Sequence, residues 1–216
     1  MDPVFQWFME DRGRRAAEAL KKRDFKALYA ENQAQAKEVV LNEIPPQASV
    51  GVGGSVTIRE IKILADLKAR GNKIIDHWQA TAQANPQESY ELRLAQQSCD
   101  VFLTGSNAVT LEGQLVNIDG GGNRVNAMAF GPKKVIVVAG VNKIVADVES
   151  ALRRIKEIAV PLNCKRINSS PPCILAGKCV DCRVPQRICR ITTIIEWKPP
   201  FINDYLVVIV GENLGY

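Results

Sequence analysis

The segment from Ser49 to Ala69 reads SVGVGGSVTIREIKILADLKA and carries the clearest signal of the fold class. Its first residues are small or β-branched, which favours a short strand that ends in a glycine turn at residues 51–54. From Val56 onward the apolar residues recur at helical spacing, and Gly71 follows them as a helix stop. A strand that passes through glycines into a helix is a building unit of α/β folds.

The same alternation of strands and helices continues toward the C-terminus. Apolar runs predict strands at 73–76, 100–104 and 134–139, and helical patterns occupy 87–97, 125–130 and 143–159. The segments 108–111 and 115–118 flank Glu112-Gly113, which indicates a hairpin. The sequence therefore predicts an α/β fold with an open, largely parallel sheet and helices on both of its faces.

The two ends of the chain differ from this core. Residues 12–43 are rich in helix formers and predict two helices, the second capped by Asp24. Beyond Pro161 the composition changes to a cysteine-rich stretch and then to two β-rich runs. We predict four parts: an N-terminal helical segment (1–45), an α/β core (46–162), a Cys-rich excursion (163–190) and C-terminal strands that join the core sheet (191–216).

Composition and charge exclude several classes of protein. The 216 residues are 46% hydrophobic and 24% charged, which excludes wholesale disorder and fibrous repeats. No apolar run approaches the ~20 residues of a membrane span, and the N-terminus lacks a secretory signature, so we expect a cytoplasmic protein without a membrane span. The three Trp residues suggest no base-stacking platform, and we expect no nucleic-acid partner.

Four cysteines near the C-terminus have the spacing of a metal centre. Cys173, Cys179, Cys182 and Cys189 follow a C-x5-C-x2-C-x6-C pattern, and four thiolates suit a [4Fe–4S] cluster or tetrahedral zinc. The single C-x2-C between two lone cysteines favours the cluster, with zinc as the alternative and free thiols or disulfides as a third. Cys99 is expected in the core and Cys164 apart from the group.

The glycine turn within residues 49–69 is a candidate anion site. Backbone N–H groups at Gly53 and Gly54 could cradle a phosphate or a carboxylate, with Ser55 as a helix cap or ligand. The turn is neither a Walker loop nor a full G-x-G-x-x-G fingerprint, so a plain tight turn is the alternative.

A second set of polar residues lies at predicted strand ends, where open α/β sheets bind their ligands. The ligand-binding candidates there are Thr104, Ser106, Asn107, Asn123, Arg124 and Lys143. Glu112 is a candidate nucleophile or base and Asp119 a candidate base or hydrogen-bond acceptor; a solvent-exposed hairpin tip and a helix cap are the alternatives. His77 is the only histidine, and it is expected at the surface or at a strand end.

Several of these segments together resemble the LUD-domain family of lactate-utilisation proteins. The resemblance lies in residues 51–60, 104–124 and 135–143, and the segments 177–189 and 212–215 resemble its cysteine-bearing branch. It implies a fold like that of ribose-5-phosphate isomerase, glucosamine-6-phosphate deaminase and CoA transferases. It also implies a part in the oxidation of L-lactate to pyruvate beside iron–sulfur partner subunits, and the cysteine tail favours a redox variant.

Three functions remain open from the sequence. The first is an accessory redox protein with a site for a small anionic metabolite and a four-Cys centre. The second is an isomerase or CoA-transferase-like enzyme that uses Glu112 and a purely structural metal. The third is a structural subunit, in a homo-oligomer or a larger complex, whose cysteine segment docks a partner.

Overall fold

The centre of the fold is a strand of mostly β-branched residues, Lys134–Gly140, in which every residue after Lys134 is buried. The structure, a computed structural model, describes residues 2–79 and 84–216. The strands of this part are β1 Lys26–Ala30, β2 Ser49–Val52, β3 Lys73–Ile75, β4 Val101–Gly105, β5 Ala108–Thr110, β6 Leu115–Asp119, β7 Lys134–Gly140, β8 Ile144–Val145, β9 Ile191–Ile195 and β10 Asp204–Val210. The helices are α1 Pro3–Lys21, α2 Gln33–Glu43, α3 Val56–Glu60, α4 Ile63–Ala69, α5 Pro86–Ala95, α6 Asn123–Ala129, α7 Val148–Arg154, α8 Val160–Arg166 and α9 Pro172–Ala176.

The main sheet has six parallel strands in the order β1-β10-β7-β4-β2-β3. Successive side chains of a strand point to opposite faces, and β7 divides accordingly. Val135 and Val137 pack with helices α1 and α6 on one face, whereas Ile136 and Val138 pack with α2, α3 and α4 on the other. The predicted parallel sheet with helices on both faces is confirmed.

A second, four-stranded sheet lies beside the first in the order β8-β5-β6-β9. The predicted hairpin is present as the antiparallel pair β5 and β6. Val109 and Leu115 of this sheet join the core beneath α1, and Ala108 and Val116 face the helices of residues 148–176. The second sheet therefore forms the floor on which the C-terminal helices and the cysteine segment rest.

The helical prediction for residues 12–43 is wrong at Lys26–Ala30, which form β1. The residues of β1 pair in parallel with those of β10, and this pairing outweighs their helix propensity. Asp24 does not cap the next helix: its φ is +66°, and Asn32 caps α2 by accepting a hydrogen bond from the Gln35 N–H at 3.0 Å.

Two further predicted helices are interrupted. Lys62, with a φ of +52°, separates α3 from α4. The prediction for 143–159 fails at its start, because Ile144 pairs with Val109 in the second sheet and Asp147 caps α7. Of the two C-terminal strands, β10 enters the main sheet between β1 and β7, whereas β9 pairs with β6 in the second sheet.

Within residues 2–79 and 84–216, no helix combines the length and the apolar character needed to cross a bilayer.

Candidate functional site

A cavity of about 300 Å³ opens where four parallel strands of the main sheet end. The residues that follow β2, β3, β4 and β7 all contribute to its wall, as expected for an open α/β sheet. The predicted site residues in that wall are Gly54, Ser55, Ser106, Asn107, Asp119, Asn123, Arg124 and Lys143. The fold thus brings the glycine turn and the second polar stretch together.

The glycine turn is shaped by close packing. A Cβ atom on Gly53 would lie 2.7 Å from Thr104 Oγ1, and one on Gly54 would lie 2.7 Å from the Trp78 indole nitrogen. Neither position has room for a side chain. Ser55 caps α3, because its hydroxyl accepts a hydrogen bond from the Ile58 N–H at 3.4 Å. Gly53 and Thr104 themselves are buried behind the wall and do not line the cavity.

Arg124 is anchored by three hydrogen bonds at the start of α6. Its guanidinium donates to the side-chain oxygens of Asn117 at 2.7 Å and Asn107 at 3.0 Å, and to the Ile118 carbonyl at 3.0 Å. Burial lowers the pKa of Arg124, and the nearby Asp119 carboxylate opposes this shift. An arginine always remains charged in proteins, so the wall carries a fixed positive charge here.

Asp119 and Glu112 occupy different environments. Asp119 accepts hydrogen bonds from the backbone N–H groups of Gly120 at 3.0 Å and Val125 at 3.5 Å, and it lies 4.0 Å from Arg124. These bonds give it a structural part in the turn. Glu112 is exposed at the hairpin tip and does not line the cavity.

Lys143 lies deep in the wall, in the turn that follows β7. Its side chain is 4% exposed, and its Nζ donates a hydrogen bond to Thr57 Oγ1 at 2.8 Å. Burial, and then the charges of Arg154 and Arg124, lower its pKa to about 7 against a weaker opposing effect of Glu60.

Several residues of the wall were not among the sequence candidates. They are His77, Trp78, Arg93, Asn163, Arg166 and Tyr216. His77 lies just past the end of β3, the second of its two expected positions, and it is buried there. Burial, together with the charge of Arg93, lowers its pKa to about 4. The Arg166 guanidinium lies over the Trp78 ring at 4.0 Å, and its Nε is buried without a hydrogen-bond partner among the described residues.

The charges of the wall are unbalanced. Among the described residues that line the cavity, three guanidinium groups and one amine face a single side-chain carboxylate, that of Asp119. The guanidinium groups are those of Arg93, Arg124 and Arg166, and the amine is that of Lys143. Guanidinium groups recognise carboxylates and phosphates through paired, charge-assisted hydrogen bonds. The arrangement is suited to a small anion.

The cysteine segment lies directly beside this cavity. The thiols predicted to form a centre, those of Cys173, Cys179, Cys182 and Cys189, line a second cavity of about 10 Å³. Val160 belongs to the walls of both cavities. The four cysteines that the spacing groups together are therefore also close in space.

Cys164 was expected apart from this group, but it packs in one buried cluster with Cys173 and Cys189. Cys164 and Cys173 are buried, and burial together with the neighbouring thiols raises the pKa of Cys164 to about 11. Cys99 lies in the core as expected, and burial raises its pKa to about 11.

The cysteine group meets some requirements of a metal-binding site and not others. The donor chemistry fits, and a void of about 10 Å³ has room for one water-sized object such as a single ion. A cubane cluster is larger than this void, and residues 177–190 around it form neither helix nor strand. Among the described residues, no three Cys, His, Asp or Glu side chains are arranged as a ligand set for a metal ion.

Comparison with known proteins gives a family and a fold. The family model of the LUD domain matches residues 13–210. The crystal structure of a DUF162 family protein from Deinococcus radiodurans superimposes with a TM-score of 0.54 at 11% identity, over 94% of this chain and 98% of that one. At this identity the likeness concerns the fold alone. No curated protein matches the chain.

Proposed function

Because the chain belongs to the LUD-domain family, we propose that it is an accessory protein of organic-acid oxidation that binds a small organic anion in its cation-lined cavity. The ligand class is a short carboxylate such as lactate or pyruvate. The family resemblance supplies the metabolic setting, and the cavity supplies the chemistry of recognition.

The observation that carries the proposal is the excess of positive charge in the wall. Buried cations without nearby carboxylates are costly, and they persist where a ligand supplies the missing charge. Arg166 contributes to this excess, because its half-buried guanidinium donates to Asn163 Oδ1 at 2.5 Å but forms no ion pair within 4.0 Å among the described residues. A bound carboxylate would supply the missing negative charge.

The size of the cavity agrees with a small ligand. A volume of about 300 Å³ lies at the lower end of the ~300–1,000 Å³ that ligand pockets usually span. The polar wall, formed by Ser55, Ser106 and Asn107 beside the cations, can bind a hydroxyl or a carbonyl group next to the carboxylate. Glu112 is exposed and does not line the cavity, so we assign it no part in ligand binding.

Calorimetric titration tests this function. We expect L-lactate and pyruvate to bind with one site per chain and with an affinity that falls as salt is added, because charge pairing contributes to binding. Lactamide, which has the shape of lactate without its charge, is the matched control and should not bind. Equal binding of lactamide and lactate, or no binding of any short carboxylate, would refute the anion site.

For the cysteine segment we propose an inorganic centre held by Cys173, Cys179, Cys182 and Cys189, an iron–sulfur cluster first and zinc second. The cysteine spacing favours the cluster, whereas the small common void favours zinc. The excess of Lys and Arg in residues 153–190 suits either centre, since four thiolates around a metal leave a net negative charge. When bound, a cluster would supply one-electron chemistry, whereas zinc would brace the segment. Iron–sulfur partner subunits are the expected neighbours of a cluster.

Metal analysis of anaerobically purified protein decides between these centres. Stoichiometric iron and sulfide with visible absorbance that dithionite bleaches support the cluster, and colourless protein with stoichiometric zinc supports the alternative. Cys179→Ser should lower the metal content, whereas Cys99→Ser, in the core, should leave it unchanged. Metal-free wild-type protein with six free thiols would rule out both.

A further inference from the structure

Lys143 is a buried residue of the cavity wall that carries an amine. Its Nζ contacts Thr57 Oγ1 at 2.8 Å, and no ion pair within 4.0 Å forms at this amine among the described residues. By comparison, Lys134 at the other end of β7 lies within ion-pair distance of Glu43 and Asp204. The charge of Lys134 is therefore neutralised by carboxylates, whereas Lys143 in the cavity wall has no such ion pair among the described residues.

The surroundings of Lys143 favour its neutral form. Arg154 donates to the carbonyls of Asn142 at 3.0 Å and Asn107 at 2.8 Å, which fixes a positive charge behind the amine. Arg124 adds a second positive charge, and Glu60 is the acidic group that opposes them. With its pKa lowered to about 7, Lys143 carries an unprotonated amine in a large fraction of molecules at neutral pH. An unprotonated amine is a nucleophile, and burial beside other cations is a known way to activate a lysine.

The proposed ligand class, short carboxylates, includes compounds that offer an electrophile to this amine. Among short carboxylates, the 2-oxo acids place a carbonyl carbon next to the carboxylate that the guanidinium groups recognise. We propose that Lys143 forms an imine with the carbonyl carbon of a small 2-oxo acid bound in the cavity, an inference that rests on the proposed anion site.

The step balances without an oxidant or a reductant. The Nζ lone pair forms a C–N bond to the carbonyl carbon, the C=O π pair moves to oxygen, and this oxygen takes up the proton that nitrogen releases. The resulting carbinolamine then loses its hydroxyl group and a second nitrogen proton as water, which leaves a C=N bond. Thr57, which accepts the hydrogen bond of Nζ, orients the amine and is a positioning residue.

Reductive trapping tests this step. The 216-residue chain is incubated with pyruvate and cyanoborohydride, and its intact mass and peptides are measured. We expect a single reduced adduct on Lys143, which Lys143→Arg abolishes and the exposed-site control Lys68→Arg retains. Excess lactate, which has no keto group to form an imine, should suppress the adduct in the wild-type protein. This competition gives a result that does not depend on a folded Lys143 variant.

Two outcomes separate this inference from the function on which it rests. If pyruvate binds by calorimetry but yields no adduct on Lys143, imine formation is refuted and the anion site stands. If pyruvate neither binds nor is trapped, both fail. Trapping of glycolaldehyde phosphate on Lys143 in place of any 2-oxo acid would overturn the assigned ligand class, because the anionic group recognised would then be a phosphate.

Discussion

The guanidinium of Arg124 donates a 2.7 Å hydrogen bond to the side-chain oxygen of Asn117, and this bond ties the first turn of α6 to strand β6. Asn117 is fully buried and also contacts Ser106 and the Asn107 N–H, so one amide joins three segments of the cavity wall. The residue that presents positive charge to the cavity therefore also holds the wall together.

Removing this anchor should destabilise the protein. Arg124→Met leaves the buried oxygens of Asn117 and Asn107 without their charged donor, and a lost buried hydrogen bond of this kind costs about 1–3 kcal/mol. We expect that loss in urea denaturation. Arg153→Met, at an exposed ion pair with Glu149, should change stability by less than about 0.5 kcal/mol. Equal stability of both variants would show that the Arg124 network does not support the fold.

Removing cations that have fewer internal partners should weaken ligand binding more than folding. Arg166→Gln deletes a guanidinium that donates to Asn163 within its own helix, and Arg93→Gln deletes one held by Ser89 within its own helix. Each should lower the affinity for pyruvate about tenfold or more, the loss expected for a charge-assisted hydrogen bond. Calorimetric titration measures this, with exposed Arg153→Gln as the control. Unchanged affinity in both variants would place the ligand elsewhere.

The buried His77 should make stability depend on pH. Its folded-state pKa is about 4 and its ordinary value is 6.5, so between these values the unfolded chain binds a proton that the folded chain does not. Stability should therefore fall as the pH drops from 6.5 toward 4. His77→Gln should reduce this slope, and because the chain has one histidine the difference belongs to this residue. Parallel slopes for both proteins in urea denaturation would contradict a buried, neutral His77.

The glycine at the hairpin tip should resist substitution because of a contact as well as its backbone angle. Gly113 has a φ of +84°, and an added Cβ would lie 2.5 Å from the Ala19 carbonyl oxygen of α1. Gly71 has nearly the same φ, +85°, with no atom within 4 Å of its added Cβ. Gly71→Ala thus measures strain alone, about 1–2 kcal/mol, and Gly113→Ala should cost about 1–3 kcal/mol more. Equal losses of unfolding free energy in the two variants would show that α1 moves away from the added Cβ at little energetic cost.

The parts of the fold that could be predicted are those with local signals. The strand Ser49–Val52, its glycine turn and the first following helix carry their pattern within a short window, and the structure places them as expected up to Lys62, which divides the predicted helix. Strand β1 carries no such signal. Lys26–Ala30 become a strand only by pairing with β10, which lies near the other end of the chain, and no local pattern records that pairing.

The residues of the candidate site likewise include some that a local rule predicts and some that only tertiary packing brings to the wall. Arg124 and Lys143 follow predicted strands or turns, so the rule that ligands bind at strand carboxyl ends found them. The same rule could have included His77, which comes two residues after β3. Arg166 lies on α8 and reaches the wall only because the C-terminal helices pack on the second sheet, a tertiary arrangement that no spacing reveals.

The measurement that tests the anion site most directly is a crystal structure of the protein with pyruvate bound at saturating concentration. We expect the carboxylate in the 300 Å³ cavity, within hydrogen-bond distance of the Arg166 guanidinium, and the carbonyl carbon facing Lys143 Nζ. A cavity that contains only solvent, or pyruvate bound outside it, would contradict the proposal.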